Sequence, residues 1–241
     1  MELCPGVSVL VSARSGGTSN GRFATLNLSH AVGDDPAAVD ANRAAVLTAV
    51  RRGGTGPGRL AWIRQVHGAA VVEATDLPPA SSPEADAIFT ESPTVAVGVL
   101  VADCAPVLLA DPVARLVGAA HAGRPGLAAG VVPALVTAMR QAGAEPPRMR
   151  ALVGPAVCGQ CYEVPAQMRD EVAAKVPGSA CVTRKGTAGI DLRAGLHAQL
   201  SAAGIAEVVD DTRCTAESND LYSYRRDGAT GRFAGLIWLT A

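Results

Sequence analysis

Aromatic side chains are scarce in this chain, 3% of 241 residues. That scarcity excludes the rows of stacking platforms on which single-stranded nucleic acids lie. Excess charge of either sign is lacking too: 21 basic residues face 22 acidic ones, for a net charge of −1. Such a balance gives no electrostatic footprint for a nucleic-acid backbone or an anionic membrane. Apolar runs long enough to span a bilayer are also missing. Residues 94–110 are interrupted by Asp103 and Pro106, and the uncharged stretch 126–139 is too short. Met1-Glu2-Leu3-Cys4-Pro5 has no basic segment leading into an apolar one, so no secretory signal is expected. The expectation is a cytoplasmic protein without a membrane partner, its six cysteines mostly reduced. No repeat, low-complexity tract or long linker divides the chain, which is expected to form one domain over residues 1–241.

What the chain does have is a set of apolar runs that end in reactive side chains. Residues 95–104 read Val-Ala-Val-Gly-Val-Leu-Val-Ala-Asp-Cys, and a second run, 116–121, ends at His121. β-Branched runs of this kind, bounded by Pro and Gly, predict strands buried on both faces. Such strands have no structural need for a thiol or an imidazole at the tip. Another apolar run, from Leu60, ends at His67. His67, Cys104 and His121 make a three-ligand set that leaves a fourth zinc position open.

Around these runs, residues 6–13 predict a first strand and the glycine-rich residues 14–21 a loop. Asp34 or Asp35 before Pro36 predicts a helix over 36–52, with Val39, Ala45, Val46 and Val50 on its apolar face. A loop is expected over 53–58, a strand over 60–66 delivering His67, a strand over 71–74 and a Pro- and Ser-rich loop over 77–84. Residues 126–142 predict a helix kinked at Pro133. Further helices are expected over 162–176 and over 191–203, the latter capped by Asp191 and closed by Gly204. Strands are expected over 149–153, 206–209 and 233–239. The interleaving of strands and helices gives an α/β or mixed α+β class.

Arg14, Arg43 and Arg64 are candidate phosphate binders. Asp103, beside Cys104, would point to the opposite face if both lie in a regular strand, and would then support rather than react; a bend of the strand end at Pro106 would leave it a direct catalytic role. Cys158-Gly159-Gln160-Cys161 is a single C-x-x-C, which reads as two thiols in a loop; a redox or structural-zinc reading needs a βαβ context or a second pair.

Several motifs occur in order: Leu26-Asn27-Leu28, Val32-Gly33-Asp34-Asp35, Asn42-Arg43, Gln65-Val66-His67-Gly68, Ala102-Asp103-Cys104-Ala105-Pro106 and His121-Ala122-Gly123. They are followed by Gly154-Pro155, Cys161-Tyr162-Glu163-Val164, Ser223-Tyr224-Arg225-Arg226-Asp227-Gly228 and Gly231-Arg232. This set resembles the YfiH family, also called the laccase-domain or purine nucleoside phosphorylase family and formerly described as polyphenol oxidases. The resemblance implies a single-domain α/β/β/α sandwich related to the catalytic domain of cytotoxic necrotizing factor. It implies a zinc ion on His67, Cys104 and His121, which thereby become both metal ligands and catalytic residues. It also implies phosphorolysis of adenosine, inosine and methylthioadenosine with phosphate, and adenosine deamination as a second activity. The family usually reads His-Ala-Gly-Trp-Arg-Gly where this chain has His121-Ala122-Gly123-Arg124-Pro125-Gly126, a departure that bears on substrate contacts.

Three other functions compete: a cysteine hydrolase with Cys104 as nucleophile and His67 or His121 as base, a copper polyphenol oxidase, and an editing factor in cell-wall synthesis. The four histidines of the chain are too few for a multi-copper centre, whose ligands are largely imidazoles. The oligomeric state is open.

Overall fold

The valine- and alanine-rich runs form the centre of the molecule. The computed structural model describes residues 1–51, 56–79 and 81–240. Arg52, where the first helix was expected to end, residues 53–55 of the expected loop 53–58, and Ala80 of the loop 77–84 lie outside the described residues. In chain order the strands begin with β1 (Glu2–Cys4), β2 (Val7–Val11), β3 (Arg59–Ala61), β4 (Val71–Glu73), β5 (Ala87–Thr90) and β6 (Val95–Val101). They continue with β7 (Ala105–Asp111), β8 (Leu116–Ala122), β9 (Arg150–Val153), β10 (Ala180–Val182), β11 (Ala188–Ile190), β12 (Glu207–Asp210) and β13 (Phe233–Leu239). The helices are α1 (Pro36–Val50), α2 (Arg124–Ala129), α3 (Val131–Gln141), α4 (Ala166–Lys175), α5 (Leu192–Ala202) and the short α6 (Tyr224–Asp227). None is long and apolar enough to cross a membrane.

Two mixed sheets stack face to face. The first has the order β1-β2-β13-β6-β3 and the second β12-β9-β7-β8-β5-β4. Between them Val7, Val9, Val97, Val99 and Ile237 meet Ile88, Leu108, Val117, Ala119 and Leu152. On the outer side of the first sheet, Ala96, Leu236 and Trp238 pack with Val46 and Val50 of α1. On the outer side of the second, Val107, Leu109 and Ala120 pack with Leu127, Leu135, Met139, Leu196 and Leu200 from α2, α3 and α5. The layers therefore run helix, sheet, sheet, helix. Because both sheets are covered on both sides, β6, β7, β8 and β13 lack the apolar–polar alternation of a half-exposed strand.

Several boundaries differ from expectation. The strand over 60–66 stops at Ala61 as β3. Beyond it the Gln65 side chain continues the attachment to β6, its Nε2 donating to the Leu100 carbonyl at 2.7 Å and its Oε1 accepting the Leu100 N–H at 2.8 Å. Helix 126–142 is two helices, and the break is at Gly130, whose φ of 79° is open to glycine, rather than at Pro133. Pro133 sits in the first turn of α3, where its missing N–H is not needed. The helix expected from Tyr162 begins only at Ala166, because Glu163 is bridged to Gly189 and Val164 donates to Ala188 at 3.0 Å. Ala45 faces solvent, and Asn42 takes the buried place on α1. The hairpin β10–β11 was not anticipated, since its residues carry no strong alternation.

Asp111 closes β7 and is fully buried. Its carboxylate accepts the N–H groups of Val113, Ala114 and Glu145 at 2.9, 3.0 and 2.8 Å and the Arg148 guanidinium at 3.0 Å. Burial pushes its pKa up, but these donors outweigh burial and hold it below the usual carboxylate value. A depressed folded pKa gives stability that is present above the unfolded value and lost as pH falls through the folded one. Asp111→Asn is expected to lower unfolding free energy by about 1–3 kcal/mol at pH 7. Urea unfolding should show the gap to wild type narrowing below about pH 4.

Candidate metal centre

The apolar run 95–111 is broken by a tight turn, residues 102–104, through which the chain leaves the first sheet and enters the second. Cys104 lies in that turn, immediately before β7. Pro106 of β7 pairs with His121 of β8, so the turn and the end of β8 face each other as the two apolar runs suggest. Asp103 has a φ of 87°, a strained conformation for a residue other than glycine. It is held there by Thr215 Oγ1, Ser223 Oγ and the Arg225 N–H, which donate to its carboxylate at 2.6, 2.7 and 2.5 Å. The carboxylate of Asp103 thus faces the C-terminal segment and fixes the turn that presents Cys104.

His67 arrives from the irregular segment after β3, also with positive φ, 61°. Its loop is wrapped around Asp86, a fully buried residue directly preceding β5. The N–H groups of Val66, His67 and Gly68 donate to the Asp86 carboxylate at 3.2, 2.9 and 2.6 Å. The same carboxylate meets His121 Nδ1 at 2.8 Å. This contact assigns the Nδ1 proton and leaves His121 Nε2 for a metal, the usual carboxylate–histidine support of a ligating imidazole. One aspartate therefore sets both histidines. Gly123 completes the floor: a Cβ there would lie 2.7 Å from Cys104 Sγ and 3.2 Å from the His67 ring, so no larger residue fits beneath the centre.

The donor atoms of His67, Cys104 and His121 lie within 4.8 Å of one another. Cys104 Sγ stands 3.9 Å from His67 Nε2, and tetrahedral zinc bound by sulfur and nitrogen would bring such a pair to ~3.5 Å. Two imidazoles and a thiolate, with His121 buried and His67 exposed, suit an ion bound from three sides and open on the fourth. The protein groups are tuned to match. Burial raises the Cys104 pKa, but His121 and then His67 outweigh it and bring it down to about 6. Burial lowers that of His121, but Cys104 and Asp86 outweigh it and carry it up to about 9. The thiol is thus a ready thiolate, and the proton opposite it on His121 is the one a cation displaces.

The open side faces a cavity of about 950 Å³, within the range of small-molecule sites. Five arginines line it: Arg43, Arg64, Arg124, Arg225 and Arg232. Arg43 lies over the Trp62 ring, 4.9 Å from its centroid, and donates to the Leu28 carbonyl at 2.8 Å; burial lowers its pKa. Arg64 pairs with Glu84 at 2.6 Å on the exposed rim. Arg232 is fixed by bonds to the Thr230 and Gly231 carbonyls at 2.8 and 3.0 Å. Arg225 lies over the Tyr162 ring at 5.2 Å, and among the described residues its guanidinium has no carboxylate partner.

A family profile described as multi-copper polyphenol oxidoreductase laccase matches residues 8–240. The chain belongs to that family. A Streptomyces griseus protein named purine nucleoside phosphorylase ORF3 is 54% identical over 228 residues, covering 94% of this chain and 92% of the relative. A Deinococcus radiodurans protein named purine nucleoside phosphorylase is 39% identical over 232 residues, covering 95% and 87%. Among solved structures, a Neisseria meningitidis protein of the DUF152 group superposes with a TM-score of 0.89 at 37% identity, over 99% of this chain and 96% of that one. YlmD from Geobacillus stearothermophilus superposes at 0.90 with 30% identity, over 98% and 93%.

Within this laccase-family chain, Arg43 and Arg64 reach the cavity and Arg14 does not. Arg14 lies over the Tyr222 ring, 5.0 Å from its centroid, and pairs with Asp227 at 3.7 Å. Tyr162, Arg225 and Arg232 stand in the motifs and Arg124 in the departure from them, but the sequence assigns none of the four a role, and Asp86 lies outside every motif. The departure at Arg124-Pro125 leaves the cavity its arginine: Arg124 opens α2 and still lines the wall. Asp86 had one readable signal, since a ligating histidine needs a carboxylate or carbonyl behind it.

Proposed function

We propose that the chain is a zinc-dependent purine nucleoside phosphorylase that takes adenosine, inosine and methylthioadenosine with phosphate, and deaminates adenosine as a side activity. The observation that carries this reading is an arginine-lined cavity ending on an open His67–Cys104–His121 centre. The names of the relatives support the reaction class.

Phosphorolysis breaks the bond between ribose C1′ and the purine nitrogen and joins a phosphate oxygen to C1′; the base leaves with the electron pair. The chain must hold a phosphate anion against a sugar and keep water from competing. Arg43, Arg124, Arg225 and Arg232 supply the cationic wall, and arginine suits phosphate because its planar fork donates two parallel hydrogen bonds. Arg14 acts at a distance, bracing Tyr222 and Asp227. Tyr162, under Arg225, gives the base or sugar an apolar face, and Asp103 and Asp86 hold the two turns rigid so that distances at the reacting atoms stay fixed. When bound, zinc supplies Lewis acidity and brings a coordinated water into the neutral pKa range.

Zinc is preferred to the copper of the family description on donor count. Of the four histidines, His30 pairs with Asp40 and His197 with Asp210, which leaves the centre two. None of the methionines lines the cavity, so the axial thioether of a single-copper site is missing as well.

Inosine cleavage is expected to require phosphate and to yield ribose 1-phosphate in step with hypoxanthine. Coupled detection of both products, with and without phosphate, checks it. Free ribose released at the same rate in phosphate-free buffer would make the enzyme a hydrolase.

A further inference from the structure

The lone C-x-x-C does have its second pair, supplied by the fold from more than fifty residues away. Cys161 donates its N–H to the Cys158 carbonyl at 2.9 Å, closing the turn Cys158-Gly159-Gln160-Cys161. Glu217 donates its N–H to the Cys214 carbonyl at 3.1 Å, closing the turn Cys214-Thr215-Ala216-Glu217 in the same way. The two turns are tied together by a parallel bridge between Ala156 and Cys214 and by the Cys158 N–H, which donates to Cys214 Sγ at 3.3 Å. The donor atoms of Cys158, Cys161, Cys214 and Glu217 all lie within 4.8 Å of one another.

We infer that these four residues form a second, structural zinc site, distinct from the centre at His67, Cys104 and His121. Paired ligands with two residues between them, on two facing turns, are the arrangement of closed tetrahedral zinc sites. Two thiolates on one zinc stand ~3.8 Å apart, a spacing within the 4.8 Å that bounds these donors. Three sulfurs select a soft ion, and the carboxylate favours divalent zinc over monovalent copper. On binding, the three thiols release their protons to solvent. Four protein ligands leave no position for substrate, so the site holds shape. The negative charge of three thiolates and a carboxylate exceeds that of the cation, and Arg184, already paired with Glu217, offsets it.

What the site holds is the cavity wall. Tyr162, next to Cys161, sits beneath Arg225. Thr215, next to Cys214, donates to Asp103 and so braces the turn that carries Cys104. A cation between the turns locks both contacts. A disulfide would use two of the thiols and leave the third and the glutamate idle.

The test is metal content of the full-length, untagged protein purified in a phosphine reductant and dialysed against limiting zinc. Wild type is expected to retain two zinc per chain, Cys158→Ser/Cys161→Ser one, and Cys104→Ala one. One zinc in wild type that persists in Cys158→Ser/Cys161→Ser overturns the proposal, and the Cys104→Ala result shows separately whether the first centre binds. Should the double variant not fold, wild type answers alone. Cys158 and Cys161 are half-buried, and peptide mapping should show their alkylation slowed at least tenfold by zinc and restored by chelation. Equal rates with and without zinc, or a disulfide among Cys158, Cys161 and Cys214 in protein isolated without added oxidant, also overturn it.

Discussion

Cys104→Ala is expected to abolish nucleoside turnover, lowering kcat for inosine by at least about a thousandfold. Removing a residue that only supports a ligand costs roughly 10–100-fold, and loss of the ligand itself should exceed that. Two roles for the thiol predict this loss: metal ligand, and nucleophile. The lowered Cys104 pKa and the flanking imidazoles serve either. The variant that separates them is Cys104→Asp. Zinc accepts a carboxylate in place of a thiolate, so weakened but measurable turnover is expected; a nucleophilic cysteine replaced by aspartate would leave none. During wild-type turnover, intact-mass spectrometry should show no substrate-derived adduct on Cys104. A trapped adduct would favour the cysteine hydrolase.

Asp86→Ala should be as damaging, by a different route. Its carboxylate receives three backbone N–H groups from the His67 loop and one imidazole from β8. Deleting it leaves those donors without an acceptor, the His121 imidazole buried and the three N–H groups partly so, at about 1–3 kcal/mol for each group that water cannot reach. It also frees His67 from its positive-φ conformation and His121 from its ring orientation. A loss of several kcal/mol of stability is expected in denaturant unfolding, together with loss of metal at the first centre. Asp86→Asn keeps an oxygen for the Nδ1 proton of His121 and for part of the loop. It should remain folded while zinc affinity drops by roughly 10–100-fold, readable by competition with a chromophoric chelator. An unchanged affinity in Asp86→Asn would mean that the aspartate holds the loop but does not tune the ligands.

The central strands were legible because their residues leave no alternative. β13 has the bounds its apolar run predicts, and α5 begins at Leu192, directly after Asp191, which caps it as expected. The three donors were legible for the same reason, standing as reactive tips on otherwise apolar runs. Continuous apolar sequence does not mark where a chain changes sheets. The turn at 102–104 is visible only through the positive φ of Asp103, and that conformation is imposed by Thr215, Ser223 and Arg225, over a hundred residues downstream. Long side chains were the least readable. Arg14, Arg43 and Arg64 look alike in sequence, yet only the last two line the cavity, since the path of a guanidinium depends on which ring or carbonyl lies beside it. The third thiol was hidden by distance along the chain: Cys214 has no cysteine near it in sequence and two near it in space.

β13 lies between β2 and β6 in the first sheet, and the residues just before it fasten the turn of Cys104. During synthesis both neighbours emerge long before it does. Until β13 arrives, β2 and β6 each present an unpaired, apolar edge, the kind of surface that recruits other chains. The pairing that ends this exposure joins segments from opposite ends of the described chain, which makes it a slow, high-contact-order step. Catalytic competence and protection from aggregation therefore arrive together, once β13 has been made, and a ribosome stalled shortly before residue 233 would hold a product that is both inactive and sticky.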